Sequence, residues 1–354
     1  MNMRVKGFFD RKDVHLSARR YGIDALGAMA QGLFASLLIG TIISTAGEQL
    51  KIDILVTVGD FAKSATGASM AVAIGCALKC PFLVLFSLIA VGQAANSLGG
   101  AGGPLAVYFV AIIAAEFGKL VSKETKIDII VTPLVTIAVG VLVSLACAPV
   151  IGAGASYTGR LIMWATELQP FLMGVVISVV TGMILTLPIS SAAICAALGL
   201  TGLAGGAAVA GCCAQMVGFA VMSFKENRFG GLFAQGIGTS MLQMGNIVKN
   251  PRIWIPPTAA AAVTGPLATC FFGLRMDGPA VASGMGTCGL VGQIGVYAGW
   301  TSSIADGART AITAFDWTGL LLISFVLPAI LTPLIALPLR KKNWIREGDL
   351  KLDL

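Results

Sequence analysis

Charge is what this chain has least of. Of 354 residues only 12% are Asp, Glu, Lys or Arg, about half the share of a soluble domain, while 56% are hydrophobic. That composition excludes an ordinary water-soluble globule and describes an integral membrane protein. Histidine is scarcer still. His15 stands alone, so neither a histidine zinc site nor His-based acid–base catalysis has its raw material. The eight cysteines include no CxxC pair. They lie in or beside apolar runs and read as small buried helix residues, so no metal and no cofactor is expected. Aromatics are few, and no Walker-type GK[ST] accompanies the glycine clusters, which argues against nucleotide binding. No nucleophile–base pair is visible, so an enzyme is the least favoured class.

Glycine, by contrast, is abundant, at 44 residues. In lipid, small residues let helix backbones approach closely, and most of these glycines are read as helix packing. The net charge of +7 does not point to nucleic acid, because of where it lies. Arg4, Lys6, Arg11, Lys12, Arg19 and Arg20 precede the first apolar run; Arg340, Lys341, Lys342, Arg346 and Lys351 follow the last. The positive-inside rule then predicts two cytoplasmic ends and an even number of crossings. Phe8, Phe9, Val14 and Leu16, interleaved with basic residues, read as a short amphipathic helix on the inner leaflet. The organisation expected is an N-terminal segment 1–20, a transmembrane domain 21–340 and a basic tail 341–354.

Apolar runs cover Ala25–Ala46, Gly67–Leu98 with a break at Lys79-Cys80-Pro81, Gly103–Val121, Ile127–Ile151 and Phe171–Leu187. Further runs are Ile189–Met222, Gly230–Ile247, Ile253–Leu274, Gly278–Tyr297 and Leu320–Leu339. The fold class predicted is an all-α polytopic membrane protein of about ten crossings, some of them broken or re-entrant. Two repeats stand out. KIDILVT (Lys51–Thr57) and KIDIIVT (Lys126–Thr132) agree at six of seven positions, each beside an apolar run. Opposite-facing halves of an inverted repeat are one reading, and interfacial anchoring by Lys and Asp is the other. GIGTS (Gly236–Ser240) and GMGTC (Gly284–Cys288) form the second pair, each followed by a glutamine, Gln243 and Gln293. Two glycines weaken a helix by ~1 kcal/mol each, so these segments read either as broken helices facing a polar ligand or as tight helix crossings. The cluster Asn96–Pro104 cannot be regular helix, and Leu187-Pro188-Ile189-Ser190-Ser191 reads as a kink or hairpin entrance.

Together TKIDIIVTPLVT (Thr125–Thr136), NSLGGAGGPLAVY (Asn96–Tyr108), LPISSAAI (Leu187–Ile194), CCAQMVGFAV (Cys212–Val221), the stretch Gly236–Pro257 and GMGTCGLVGQ (Gly284–Gln293) resemble the phosphotransferase-system IIC proteins. The branch is that of stand-alone IIC-like and perfringolysin O regulator-like membrane proteins. The resemblance implies a dimeric protein of the bacterial inner membrane that binds a sugar-like solute between a scaffold and a mobile substrate domain. It also implies coupling to separate IIA and IIB phosphorylation units, for which this chain has no soluble stretch of its own.

Uncharged polar groups at the broken segments suit solute hydroxyls: Asn96, Gln215, Thr239, Ser240, Gln243, Asn246, Thr287 and Gln293. Ionisable and adjacent groups in or beside spans, namely Asp53, Glu116, Asp128 and Thr132, are candidates for coupling or gating. Trp254, Trp300 and Trp317 read as interfacial anchors. The leading function is transport of a small polar solute, with sugars a candidate class. The alternatives are a membrane sensor or regulator and an ion-coupled transporter or channel.

Overall fold

The computed structural model describes residues 3–15, 17–307 and 310–352, with the backbone alone at 3–6, 49 and 158. Leu16, assigned above to the amphipathic segment, lies outside the described residues. Helix makes up 82% of the structure and no strand is present among the described residues. The chain forms two compact units, Met1–Ser44 with Asp53–Gly154, and Thr45–Ile52 with Ala155–Leu354.

The first unit opens with the short helix α1 (Met3–Arg11). A helical run from Arg20 then contains α2 (Leu26–Leu33) and α3 (Ile39–Leu50), joined through a π turn at Phe34–Leu38. Helices α4 (Asp53–Ser64) and α5 (Thr66–Ala77) run back along it. Gly59 lies against Gly40 and Ser44, and Gly32 lies against Ser69 and Met70. The chain reverses again at Lys79, whose φ of 56° precedes Pro81, and enters α6 (Phe82–Gly99) and α7 (Gly103–Val121). Between them Gly100 takes φ 50°, ψ −124°, a conformation that glycine adopts readily and other residues only under strain. The two helices therefore fold into an antiparallel hairpin, with Gly118 against Val84 and Gly103 against Asn96. The glycine cluster at 99–103 is this turn.

Helix α8 (Asp128–Thr166) leaves the first unit near Gly154. Ile129, Leu134, Leu142, Leu145 and Val150 along it are 57–73% exposed, a surface fit for lipid and unfit for water. The second unit continues with α9 (Pro170–Thr186), α10 (Ser191–Ala197) and α11 (Gly202–Met222). The over-long apolar stretch Ile189–Met222 is thus two helices. Beyond come α12 (Phe224–Phe233), α13 (Met244–Lys249), α14 (Ile255–Pro266), α15 (Val291–Ala305), α16 (Ala314–Leu321) and α17 (Leu327–Lys341). Helix α11 is the axis of this unit, with almost every residue buried. At Gly211 a Cβ would strike the backbone of Ser178 on α9, so only glycine permits that approach.

Among the described residues, five runs qualify as membrane spans by length and apolarity: Arg20–Glu48, Phe82–Val121, Asp128–Thr166, Gly202–Met222 and Ala314–Lys341. The sequence predicts about ten crossings. The run Phe82–Val121 supplies both arms of the Gly100 hairpin, and the shorter apolar helices Thr66–Ala77 and Pro170–Thr186 lie beside these runs.

Candidate functional site

Both GxGT segments are interrupted helices. The helical run ending at Gly238 stops at Thr239, which is extended at φ −158°, ψ 142°. A 3₁₀ turn, Ser240–Gln243, then leads into α13. Thr239 caps this turn by accepting a hydrogen bond from Met241 N at 3.1 Å. In the second copy, backbone around Gly286, Gly289 and Leu290 adopts positive φ before α15 begins. The two copies meet: Thr287 Oγ1 donates to Gly236 O at 2.5 Å. Cracks in two helices therefore face one another inside one unit, where each frees backbone groups that regular helix would consume.

A polar core lies beside them on α11. Gln215 is fully buried, and both its amide nitrogen and its amide oxygen are hydrogen-bonded. Its Nε2 donates to Thr258 Oγ1 at 3.1 Å. Its Oε1 accepts from Trp254 Nε1 at 3.0 Å and from Thr186 Oγ1 at 3.3 Å. Thr186 Oγ1 also lies 2.8 Å from Ser240 Oγ. The fold builds this cluster from helix ends. Thr186 is the last residue of α9, cut short before Pro188, and Trp254 directly precedes α14. No member carries charge, so the group is affordable at membrane depth in a way an ion is not.

Elsewhere on α11, Gln293 of α15 donates to Cys213 Sγ at 3.3 Å, while its buried Oε1 makes no hydrogen bond among the described residues. No cluster of three metal-ligating groups occurs among the described residues.

Gln243 and Asn246 form an amide ladder. Gln243 Nε2 donates to Gln235 Oε1 at 2.8 Å, and Asn246 Nδ2 donates to Gln243 Oε1 at 2.8 Å. The remaining amide protons go to the chain's own residues Leu350 and Lys351.

Another part of the same unit holds an open cavity of about 480 Å³ lined by Phe272, Arg275, Asp277, Trp300, Ser303 and Asp316 among others. Arg275 Nε donates to Asp277 Oδ2 at 3.0 Å across its mouth. Trp300 is buried, and Trp317 packs on it edge to face at 5.5 Å. These tryptophans line or support a cavity, a role beyond the interfacial anchoring read from sequence.

The other candidates lie in the first unit. Asn96 is half-buried at the α6–α7 turn, against Gly103. Asp53 and Asp128 each open a helix. Asp128 Oδ1 accepts from Lys123 N and from Thr132 Oγ1, both at 2.6 Å. Asp53 is exposed, and Thr57 returns only to its backbone oxygen at 3.1 Å. Glu116 is held between Tyr21, whose hydroxyl donates to Oε1 at 3.1 Å, and Lys119, whose ammonium is 2.9 Å from Oε2 but off the hydrogen-bond angle. Lys119 is 2% exposed and donates to the backbone oxygens of Asp13 and Leu78 at 2.7 and 3.2 Å. Arg20 joins them through Asp13 Oδ2 at 2.7 Å. That hydrogen bond holds the Asp13 carboxyl below its ordinary value, against the desolvation that raises it.

Sequence reasoning missed Thr186, Thr258, Gln235 and Lys119, and gave Trp254 a different role. Gln235 carried a signal, since it immediately precedes the GIGTS segment as Gln243 follows it.

Apolar helices, two of them cracked open at facing glycine segments around uncharged polar groups, describe a polytopic membrane protein. The family model for the phosphotransferase system EIIC matches residues 23–352, and the chain belongs to that family. EIIC domains are the membrane-embedded permease components of their systems and are not catalytic by themselves. Comparison with curated proteins and with solved structures returned no match to either.

Proposed function

We propose that this protein moves a small, neutral, hydroxylated solute of the sugar class across the bacterial inner membrane. The observation that carries the reading is the Gln215 core. An amide and three hydroxyls, uncharged and all buried except the half-buried Thr258, offer donors and acceptors that solute hydroxyls can exchange with at little electrostatic cost. The cracked helices at Thr239 and Thr287 flank it, and Gln293 Oε1 adds a buried acceptor site without an internal partner. The Arg275–Trp300 cavity suits the same chemistry, since aromatic faces and paired charges favour sugar rings over bare ions. In this reading both chain ends are cytoplasmic, residues 21–340 form the transport domain, the protein works as a homodimer, and any phosphoryl group comes from separate IIA and IIB proteins.

The test is a thermal-shift panel of sugars, polyols, amino acids and organic anions on the purified protein, followed by uptake into proteoliposomes with the solute that stabilises it. A neutral polyol should stabilise the wild type and fail to stabilise Gln215→Leu. Stabilisation confined to charged solutes would overturn the substrate class. Saturable binding without flux would replace the transporter with a sensor.

A further inference from the structure

The amide ladder already holds a ligand, and the ligand is part of this chain. Leu350 and Ile345 are 0% and 2% exposed and pack with Phe219, Met222, Ile247 and Ile253. The backbone around Leu350 is gripped by side chains. Asn227 Nδ2 and Gln243 Nε2 both donate to Leu350 O, at 2.8 and 3.0 Å. Asn246 Nδ2 donates to Lys351 O at 2.8 Å, and Leu352 N donates to Asn227 Oδ1 at 2.8 Å. One asparagine side chain thus makes the pair of bonds that a neighbouring strand's backbone makes in peptide recognition. Arg228, next to it, holds φ 50°, ψ −149°. A non-glycine residue keeps such a conformation only where its surroundings over-determine it.

The donor inventory is complete. The two amide protons of Gln243 go to Leu350 O and Gln235 Oε1, and those of Asn246 go to Lys351 O and Gln243 Oε1. Neither amide has a donor left for a solute while this segment is seated. Gln243 also ends the single 3₁₀ turn that begins at Ser240. Ser240 Oγ, at the other end of that turn, is 2.8 Å from Thr186 Oγ1 in the Gln215 core. A turn of four residues cannot shift at one end and stay fixed at the other.

We infer that Leu350–Leu352 is an internal peptide latch, seated in the groove of Asn227, Gln243 and Asn246, and that its seating fixes the Ser240–Gln243 turn against the polar core. The groove is a site for an extended peptide of apolar–basic–apolar sequence, and its resident is this segment. Release frees one amide donor each on Asn227, Gln243 and Asn246, and the turn with them. The consequence for solute rests on the reading of the Gln215 core given above, but the latch itself does not.

Its test therefore uses no solute. Leu350→Asp is made in the full chain, and two readouts are taken on purified protein. The first is trypsin cleavage after Lys351, which is itself exposed, followed by mass spectrometry. The second is the fluorine resonance of Trp254 in 5-fluorotryptophan-labelled protein, assigned with Trp254→Phe. Losing the buried leucine should speed cleavage by more than about tenfold, the opening of a site held by one apolar side chain. The Trp254 resonance should shift or broaden while that of Trp300 stays in place. Fast cleavage with an unmoved Trp254 resonance would overturn the coupling. Cleavage at the wild-type rate would overturn the latch. If Leu350→Asp does not fold, Asn227→Ala, which keeps the apolar seat and removes two of the four bonds, should give the same pair of changes in weaker form. Wild-type behaviour of that folded variant would overturn the proposal. A failed uptake assay would leave both readouts standing.

Discussion

The two units both bury hydroxyls, but the buried amides Gln215, Gln235, Gln243, Asn246 and Gln293 belong to the second. The first gathers charge where its elements join: Lys119, which is buried, with Glu116, Arg20 and the part-exposed Asp13 links α7, the start of the Arg20 run, the N-terminal segment and the α5–α6 turn at Leu78. The second lines its interior with amides and hydroxyls, around Gln215 and around Gln243. Its buried carboxylate Glu226 is the parallel case, 3.5 Å from Arg340 beside the seated tail. A buried ion demands one fixed set of partners, because leaving it unpaired costs several kcal/mol. Neutral groups trade partners at about 1 kcal/mol each. The first pattern makes a fixed joint, and the second is the one on which the proposed solute exchange rests.

The largest effect should come from breaking the charged joint. Lys119→Met leaves Glu116 buried with its ammonium partner gone, and should cost about 3–5 kcal/mol. The melting temperature in detergent would fall steeply. Adding Glu116→Gln, which removes the stranded charge, should recover much of the loss. Equal melting of Lys119→Met and wild type would show that the cluster holds nothing together.

Gln215→Leu makes the opposite cut. It replaces an amide with an apolar side chain of similar size and leaves Thr186, Thr258 and Trp254 short of one partner each. The stability loss should be about 1–3 kcal/mol, below that of Lys119→Met, while solute stabilisation disappears. If the order of the two stability losses were reversed, the contrast between a charged joint and an exchangeable core would not survive.

Acid gives a third and smaller effect, confined to the first unit. Asp13 faces Arg20, His15 at 3.7 Å and, through its backbone oxygen, Lys119. The Arg20 hydrogen bond lowers its folded pKa beneath the unfolded value of 3.8. Its contribution is therefore complete above about pH 4 and is lost as pH falls through the lowered folded pKa. Glu124, drawn down by its hydrogen bond with Lys12 and by Arg11, loses its partners over the same acid range. Proteolysis of the segment before Arg20 should accelerate in that window, and Asp13→Asn should bring the faster rate to neutral pH. A cleavage rate flat across the window would remove Asp13 from the joint.

Much of this contrast was legible as residue types, and little of it as partners. The cracks at GIGTS and GMGTC were visible because two glycines in a short apolar run oppose helix wherever they fall. Their meeting through Thr287 and Gly236 was not, because 51 residues separate them. Lys119 falls in the apolar run Gly103–Val121 with no motif around it, and the atoms it donates to are backbone oxygens 106 and 41 residues away. Such oxygens have no sequence signature. Gln243 and Asn246 read as amides for a solute, while the tail they hold in the structure read as a basic end. Leu350 inside that tail was the overlooked signal, an apolar residue among charges.

The smallest effect separates the two copies of the repeated heptapeptide. Each places its aspartate on the first residue of a helix, where a negative charge meets the positive end of the dipole, worth about 0.3–1 kcal/mol. There the likeness ends. Asp128 also binds Lys123 N and the Thr132 hydroxyl and starts a helix of 39 residues. Asp53 starts one of 12 and is exposed. Asp128→Asn should therefore cost more than Asp53→Asn, the latter staying under about 0.5 kcal/mol. If uptake of the solute falls in either variant while melting is unchanged, that aspartate gates or couples transport. If melting alone moves, and moves more for Asp128, the repeat is a helix-starting device used twice in the first unit, and the transport chemistry lies in the second.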